Sequence, residues 1–327
     1  MKIKNVIYFF LSAIILVFSS CKDELIVEKI CDPEILYFRD MDEYKSEMDK
    51  VLNMTSEERD VWQQERGFKS FGIAAERFYK SIDQEKFKSI DEFKQFVNKN
   101  SKYIQLIEEN GDYILETQFY NNPGRYFMNE EGMFQIGENV YRIVKSGTFY
   151  CRVEDYELLK DIDTDRLRIN SSDGDVHCFI SDSFYKSSSA GCGSGSRVET
   201  KKEVNGEWYM TRLELDCGNM EDIFGSFAFS HFKVSSYKRG FLWIYYNYES
   251  TITYNAQISL FYKNDKGVGK TEEIRGAESE YTSNYERMMT FQTSYSQDFD
   301  GEPFFKRYYC VANNGKTNDA TLSCSSN

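Results

Sequence analysis

Proline is scarce, with three among 327 residues, while aromatic side chains make up 16%. Together these exclude long disordered linkers, which are aromatic-poor. Histidine is scarcer still: only His177 and His231 occur, and no Cys-x-x-Cys spacing accompanies them, so a zinc site lacks support. Cations are outnumbered, since 40 Lys and Arg face 53 Asp and Glu for a net charge of −13. That sign rules against nucleic-acid binding, because phosphate contacts need clustered cations. It also disfavours an electrostatic grip on anionic lipid headgroups. No apolar run reaches the roughly 20 residues of a membrane-spanning helix.

What is present begins with a leader. Lys2 and Lys4 form a short basic region, Asn5 to Phe18 is mostly apolar, and Val17-Phe18-Ser19-Ser20-Cys21 closes the run. Small residues ahead of a cysteine, after an apolar stretch, are the pattern of a bacterial lipoprotein signal peptide over residues 1–20. The pattern places cleavage before Cys21, whose acyl chains, palmitate among them, then hold the protein on a membrane. Removing the leader takes away Lys2 and Lys4 and no acid, so the net charge moves from −13 to −15. Residues 21–35 read as a lipidated tether.

Lys22, Asp23 and Glu24 follow Cys21 directly. This triplet resembles the surface-export signal of Bacteroidota lipoproteins, a lysine followed by two acids. Phe18 stands where many such leaders carry leucine. Two further stretches pair Met54 to Arg59 with Gly67 to Phe71, and Gly132 to Gly137 with Val140 to Arg142. They are similar to uncharacterised Bacteroides-type surface lipoproteins containing a domain of unknown function, over roughly residues 35–160. The resemblance implies an outer-membrane, lipid-anchored protein facing the cell exterior. It brings no catalytic residues, because that family has no assigned activity.

Export makes disulfides available to the seven remaining cysteines: Cys31, Cys151, Cys178, Cys192, Cys217, Cys310 and Cys324. An odd number leaves at least one unpaired within the chain. Cys310 and Cys324 flank a turn-rich stretch and are the first expected pair; Cys178 with Cys217 is the second.

Helical signals dominate from residue 36 to about 100. Tyr44, Met48, Val51 and Leu52 form one apolar stripe, and Ile90, Phe93 and Val97 form another. Thr55 with Glu58 and Ser89 with Glu92 read as capping boxes, and Gly67 as a helix stop. Four short helices therefore predict a small bundle. The period then shortens. Asn110-Gly111 predicts a hairpin, short strands follow to about 165, and Asn205-Gly206 predicts a second hairpin. In the returning strand, Leu213, Leu215 and Cys217 point one way, and Arg212, Glu214 and Asp216 the other. The fold class expected is α+β. An N-terminal helical bundle with hairpins spans 36–170, and an antiparallel β-sandwich spans 171–327.

Four features invite chemistry, and each has a plainer reading. Cys192, in the Gly-rich loop Ser187 to Ser196, would expose a nucleophilic thiol, but a thiolate needs a base. His177 adjoins Cys178 on what reads as a strand, where neighbours face oppositely. A loop disulfide or spare thiol is the plainer reading of Cys192. Asn264 to Thr271 ends like a phosphate-binding loop, but its first position is Asn264 rather than glycine, so a β-turn fits better. Asp161, Asp163 and Asp165 alternate like a calcium loop. Arg166 stands where glycine is required and Ser172 where the twelfth-position acid belongs, leaving a solvated acidic turn. Trp243, Tyr245, Tyr246 and Tyr248 could stack on sugars, yet a strand apolar on both faces reads as a buried central strand.

No cofactor and no metal are implied. The function expected is a non-enzymatic binding or adhesion module for a host protein or glycan. The alternatives are an exported hydrolase of peptide or glycan, and a structural subunit joined through an edge strand. Oligomeric state is left open.

Overall fold

The computed structural model describes residues 34–109, 111–120, 122–145, 147–160, 176–180, 192, 195–222, 225–263, 268–293 and 304–325. Cys21, Lys22, Asp23, Glu24, Cys31 and the Asp161–Asp165 run lie outside them. Four helices of ten or twelve residues open the described chain: α1 (Met41–Leu52), α2 (Ser56–Glu65), α3 (Phe71–Lys80) and α4 (Ile90–Lys99). A fifth, α5 (Glu157–Lys160), is one turn long.

Caps set their starts. The Thr55 hydroxyl accepts the Glu58 N–H at 3.2 Å, and the Glu58 carboxylate accepts the Thr55 N–H at 2.7 Å. Two orphan donors of α2 are thereby satisfied. Ser89 caps α4 by accepting from the Glu92 N–H. After α2 the chain turns through Gly67 at φ +62°, a left-handed conformation that glycine adopts without steric cost.

Among the described residues, sixteen strands form three sheets. The five-stranded sheet runs β1 (Leu36–Phe38), β4 (Met133–Ile136), β5 (Asn139–Val144), β6 (Gly147–Arg152) and β7 (His177–Ile180). The seven-stranded sheet runs β2 (Ile104–Glu109), β3 (Asp112–Thr117), β11 (Ile244–Asn247), β10 (Gly225–Arg239), β9 (Glu207–Asp222) and β8 (Gly195–Val204); β14 (Asn284–Thr293) also pairs with β10. The four-stranded sheet is β13 (Gly269–Thr282), β12 (Ser250–Lys263), β15 (Phe304–Asn313) and β16 (Ala320–Ser325).

Both predicted hairpins form. β2 and β3 meet with Gly111 at φ +82°, and β8 and β9 meet through Asn205 and Gly206 at φ +55° and +82°. Two successive positive φ angles match the twist of the flanking strands. β3 also pairs with β11 in parallel, so one sheet draws strands from both sides of residue 170.

The helices bury their stripes against sheets. Tyr44, Met48 and Val51 of α1, with Trp62 of α2 and Phe71 of α3, share a core with Phe134, Tyr141 and Tyr150 of the five-stranded sheet. Phe93 and Val97 of α4 pack instead on Ile104, Leu115 and Ile244 of the seven-stranded sheet. In place of a self-contained bundle, the helices cover two different sheets, because each apolar stripe is too narrow to be closed by short helices alone.

Leu213, Leu215 and Cys217 are buried as their alternation predicts. They share a cluster with Ile252, Ile258 and Leu260 of the four-stranded sheet. The opposite face of β9 is also covered, and Arg212 there is fully buried. A strand expected to have one polar outer face therefore has two buried ones, one apolar and one charged.

Candidate functional site

The charged face of the seven-stranded sheet holds the groups with the most distinctive chemistry. Register sets them side by side. His231 on β10 lies opposite Asp216 on β9, and Lys233 lies between Glu214 on β9 and Glu286 on β14. Arg125, from the turn at Pro123–Tyr126, descends onto this face. Its Nη2 donates to Glu286 Oε2 at 2.8 Å, and His231 Nε2 meets Glu286 Oε1 at 2.7 Å. All three side chains are buried.

Burial would raise the Glu286 carboxyl, but Arg125 and His231 hold it well below the usual carboxylate range. Arg125 Nη2 also reaches the Tyr126 hydroxyl at 2.9 Å, and that hydroxyl donates to Glu76 Oε1 at 2.5 Å. Arg59 completes the chain at Glu76. The cluster thus ties α2, α3, the Pro123–Tyr126 turn, β10 and β14 into one polar unit.

Asp216 behaves oppositely. Burial pushes its carboxyl up to about 7, and Glu214 adds to the rise, against the pull of His231, Arg197 and Lys233. An acid whose folded pKa lies above its unfolded value of about 4 contributes full stability below pH 4 and loses it as pH rises through 7. A shift from 3.8 to about 7 corresponds to about 4 kcal/mol at most. Relaxation of a half-buried side chain reduces the expected effect to about 2 kcal/mol. Asp216→Asn is therefore expected to gain about 2 kcal/mol over wild type at pH 8, and little at pH 4.5. Urea midpoints at the two pH values check this; equal gains at both would remove the Asp216 assignment.

Beside Glu286 lies a cleft of about 510 Å³ between α1 and β14, lined by Tyr44, Asp49, Glu278, Tyr285 and Arg287 among others. Burial raises the Asp49 carboxyl, opposed by Arg287. Glu278 accepts from the Tyr285 hydroxyl at 3.3 Å. Glu286 has both oxygens engaged, so it anchors the cleft wall rather than offering a free base.

The other end of the same face is aromatic. Arg239 on β10 pairs with Tyr245 on β11, and its guanidinium lies 5.1 Å from the Trp208 ring, 4.8 Å from Trp243 and 5.2 Å from Tyr245. Arg239 Nη2 donates to Asp112 Oδ1 at 3.2 Å, and Lys201 Nζ donates to Asp112 Oδ2 at 2.6 Å. Between β10 and β11 the chain reverses over Phe241–Trp243, closed by the Gly240 N–H donating to the Ile244 carbonyl at 2.8 Å. Leu242 (φ +59°) and Trp243 (φ +63°) both take left-handed backbone angles. For residues with a Cβ this costs roughly 1–2 kcal/mol each. Leu242 packs inward, while Phe241 and Trp243 stand 52% and 70% exposed.

The aromatic run singled out from the sequence is therefore divided. Tyr245 and Tyr246 are buried on β11, as a central strand requires, but Phe241 and Trp243 are not strand residues. Alternation along 241–248 gave no sign of this, because glycine and asparagine, the usual marks of left-handed turns, are missing from 241–243.

The first expected disulfide is corrected. Cys324 bonds to Cys192, with Cα atoms 5.7 Å apart. On the β15–β16 ladder Cys310 is opposite Leu322 and Cys324 is opposite Tyr308, so the two cysteines are diagonal neighbours. Diagonal Cα atoms lie about 7–8 Å apart, beyond the span of a disulfide. The Cys192 N–H donates to the Phe305 carbonyl at 2.8 Å, which brings the loop to the strand. Cys310 is a buried thiol, pushed up to about 12 by that burial. The second expected pair rests on Cys178, whose side chain lies outside the described residues. Cys192, being oxidised, is no nucleophile. Of the phosphate-loop look-alike, Asn264 to Gly267 lie outside the described residues, and Gly269 to Thr271 begin β13, with no helix behind them.

Arg125, Glu286, His231, Asp216 and Arg239 were not marked as site residues by sequence reasoning. The single usable signal was the polar alternation Arg212-Glu214-Asp216 on β9. Among the described residues no helix is long and apolar enough to cross a membrane. No protein-family model matches the chain, and no curated protein does. Among solved structures, a DUF4848-family protein from Bacteroides thetaiotaomicron matches at 15% identity and a TM-score of 0.31, over 91% of this chain and 99% of that one.

Proposed function

We propose that the chain is a ligand-binding module held on the outer surface of the cell by lipid on Cys21, with its contact surface at the Phe241–Trp243 turn. In this reading residues 36–170 form an α+β platform, and 171–327 a sandwich-like unit that carries the turn. The leader, the Lys22-Asp23-Glu24 triplet and the acidic surface support the location. One observation carries the binding reading: Phe241 and Trp243 are exposed on a turn whose backbone is strained to hold them there. Strain together with exposed apolar surface costs stability, and such outliers cluster at ligand contacts.

The test is capture of host glycans and proteins on arrays. Trp243→Ala should weaken capture at least tenfold, since exposed tryptophan anchors dominate binding energy where they act. Its stability should stay within about 1 kcal/mol of wild type, because alanine keeps the same backbone strain and only the stacking of an exposed ring on Arg239 is lost. Asp49→Asn should leave capture unchanged.

The cleft favours the hydrolase alternative by one feature, the raised Asp49 carboxyl, which suits a proton donor. Turnover of peptide or glycan that is lost in Asp49→Asn would replace the binding reading. Palmitate incorporation that persists in Cys21→Ala would remove the anchor.

A further inference from the structure

We infer that the cleft between α1 and β14 binds a short peptide with free ends, laid as an added strand along the open edge of β14. This surface is separate from the Phe241–Trp243 turn, which stands or falls on its own ligands.

Register shows which edge is open. The Ser236 N–H of β10 donates to the Ser283 carbonyl at 2.8 Å, and the Ser236 carbonyl accepts from the Tyr248 N–H at 2.8 Å. Ser236 thus turns its main-chain groups to the side of β10 that carries β11 and β14. Alternate residues of a strand share that direction, so Val234 and Phe232 bond to their partners Tyr285 and Arg287. Glu286, between those two, turns its N–H and carbonyl away from β10. Asn284 has the same phase: its N–H and carbonyl meet the Thr282 hydroxyl, at 3.2 Å and 3.0 Å.

Glu286 is 7% exposed, and among the described residues no hydrogen bond reaches its main-chain N–H or carbonyl. Buried main-chain groups are nearly always paired, and an unpaired strand edge is a template for another strand. The cleft of about 510 Å³ lies along this edge, and Glu286 lines it although its carboxylate is taken by Arg125 and His231. A volume of that order holds a small ligand. An extended peptide of about three residues is roughly 10 Å long.

Charge selects free ends. Each wall carries both signs: Lys45 and Asp49 on α1, Glu278 on β13 and Arg287 on β14. Arg287 is near enough to oppose the rise of the Asp49 carboxyl, yet no ion pair joins the two. Arg287 is exposed and closes no ion pair with any described residue. Glu278 accepts the Tyr285 hydroxyl at 3.3 Å and likewise lacks a cation. A simple anion would meet Asp49 and Glu278, and a simple cation would meet Arg287 and Lys45. A peptide with free ends satisfies both signs, its carboxylate on the Arg287 fork and its ammonium by Asp49 or Glu278. Its main chain exchanges two hydrogen bonds with Glu286, the mode by which extended peptides extend a sheet.

The experiment is calorimetric titration of the full mature protein with Ala-Ala-Ala, Ala-Leu-Ala and Ala-Phe-Ala, all with free ends. The same peptides follow with both ends capped by acetyl and amide, and then free alanine, leucine and phenylalanine. Expected is binding of at least one free-ended tripeptide, weakened tenfold or more by capping. The single amino acids should bind at least tenfold more weakly still than the tripeptide. Methylating its two peptide nitrogens in turn should weaken binding tenfold or more at one of them, where the bond to the Glu286 carbonyl is lost. Arg287→Met should cost tenfold or more and Arg287→Lys less, both keeping the wild-type unfolding midpoint to within a few degrees because the side chain is exposed. Absence of binding by all three tripeptides overturns the inference, as does equal affinity for the capped forms or for Arg287→Met. A free amino acid that binds as tightly as the tripeptide, or indifference to both methylations, overturns strand addition and the peptide assignment with it.

Discussion

Glu286→Ala is expected to lower the unfolding free energy by about 3–5 kcal/mol, the cost of stranding one member of a buried ion pair. Arg125 would keep its charge with no carboxylate on it, at 5% exposure. Its remaining partners, the Tyr126 hydroxyl and the Asn122 carbonyl at 3.0 Å, are neutral. His231 would lose its 2.7 Å partner in the same step. Glu286→Gln should fall between, since it keeps the shape and one acceptor and removes the charge.

A double variant separates an uncompensated charge from lost packing. Arg125→Met with Glu286→Leu removes both charges and is expected to recover most of the loss, as apolar replacements of buried pairs commonly do. Urea unfolding of the three variants decides the matter. A loss below about 1 kcal/mol in Glu286→Ala would show that water reaches Arg125, and that the pair lies outside the dry interior.

Acid should act on the same pair. Glu286 has a depressed folded pKa, so its stabilisation is complete above the unfolded value of about 4.3 and is lost as pH falls through the folded one. Asp216 loses its contribution on the alkaline side instead, which places the stability maximum of this face on the mildly acidic side of neutrality.

Cys192→Ser is expected to cost about 4 kcal/mol. The bond joins residues 132 apart in sequence, and cross-linking restricts the unfolded chain more as the closed loop lengthens; a 100-residue loop corresponds to about 4.7 kcal/mol in the chain-entropy model. Reduction of the wild type should cost at least as much as the substitution. Peptide mapping of the non-reduced protein should return Cys192 linked to Cys324, with Cys310 alkylating only on unfolding, because its thiol is buried and its pKa lies near 12. A Cys310–Cys324 peptide in that map would sink the assignment and put the edge of the four-stranded sheet in a different register.

The elements that the sequence announced are those whose causes are local. Thr55 with Glu58 and Ser89 with Glu92 start helices because a side-chain oxygen reaches an N–H three residues on, whatever the rest of the chain does. Asn205-Gly206 reverses the chain because its two residues tolerate positive φ. The alternation on β9 placed Leu213 and Leu215 in a core for the same kind of reason, a period of two that needs no partner to be read.

Tertiary structure decided the rest. Nothing near Arg125 marks it as the partner of a glutamate 161 residues away. Cys324 looked paired with Cys310 by proximity in sequence, and the ladder register made them diagonal. Phe241 to Tyr248 read as one strand, yet its first three residues form a turn that local propensity opposes and that the Gly240–Ile244 bond and half-buried Leu242 impose. The charged face of β9 had the pattern of a solvent face until Arg125, Tyr120 and β2 covered it, with Glu109 of β2 reaching both Arg197 and Arg212.

By itself, then, the sequence determined the leader pattern, the helix starts, the hairpins and which side of each strand is apolar, since each follows from neighbours within about one turn or one pleat. Only the tertiary structure decided which cysteines bond, which charges are buried and which aromatic side chains meet solvent. These depend on distances between residues far apart in the chain, and such distances are fixed when sheets and helices pack, with no trace in local spacing.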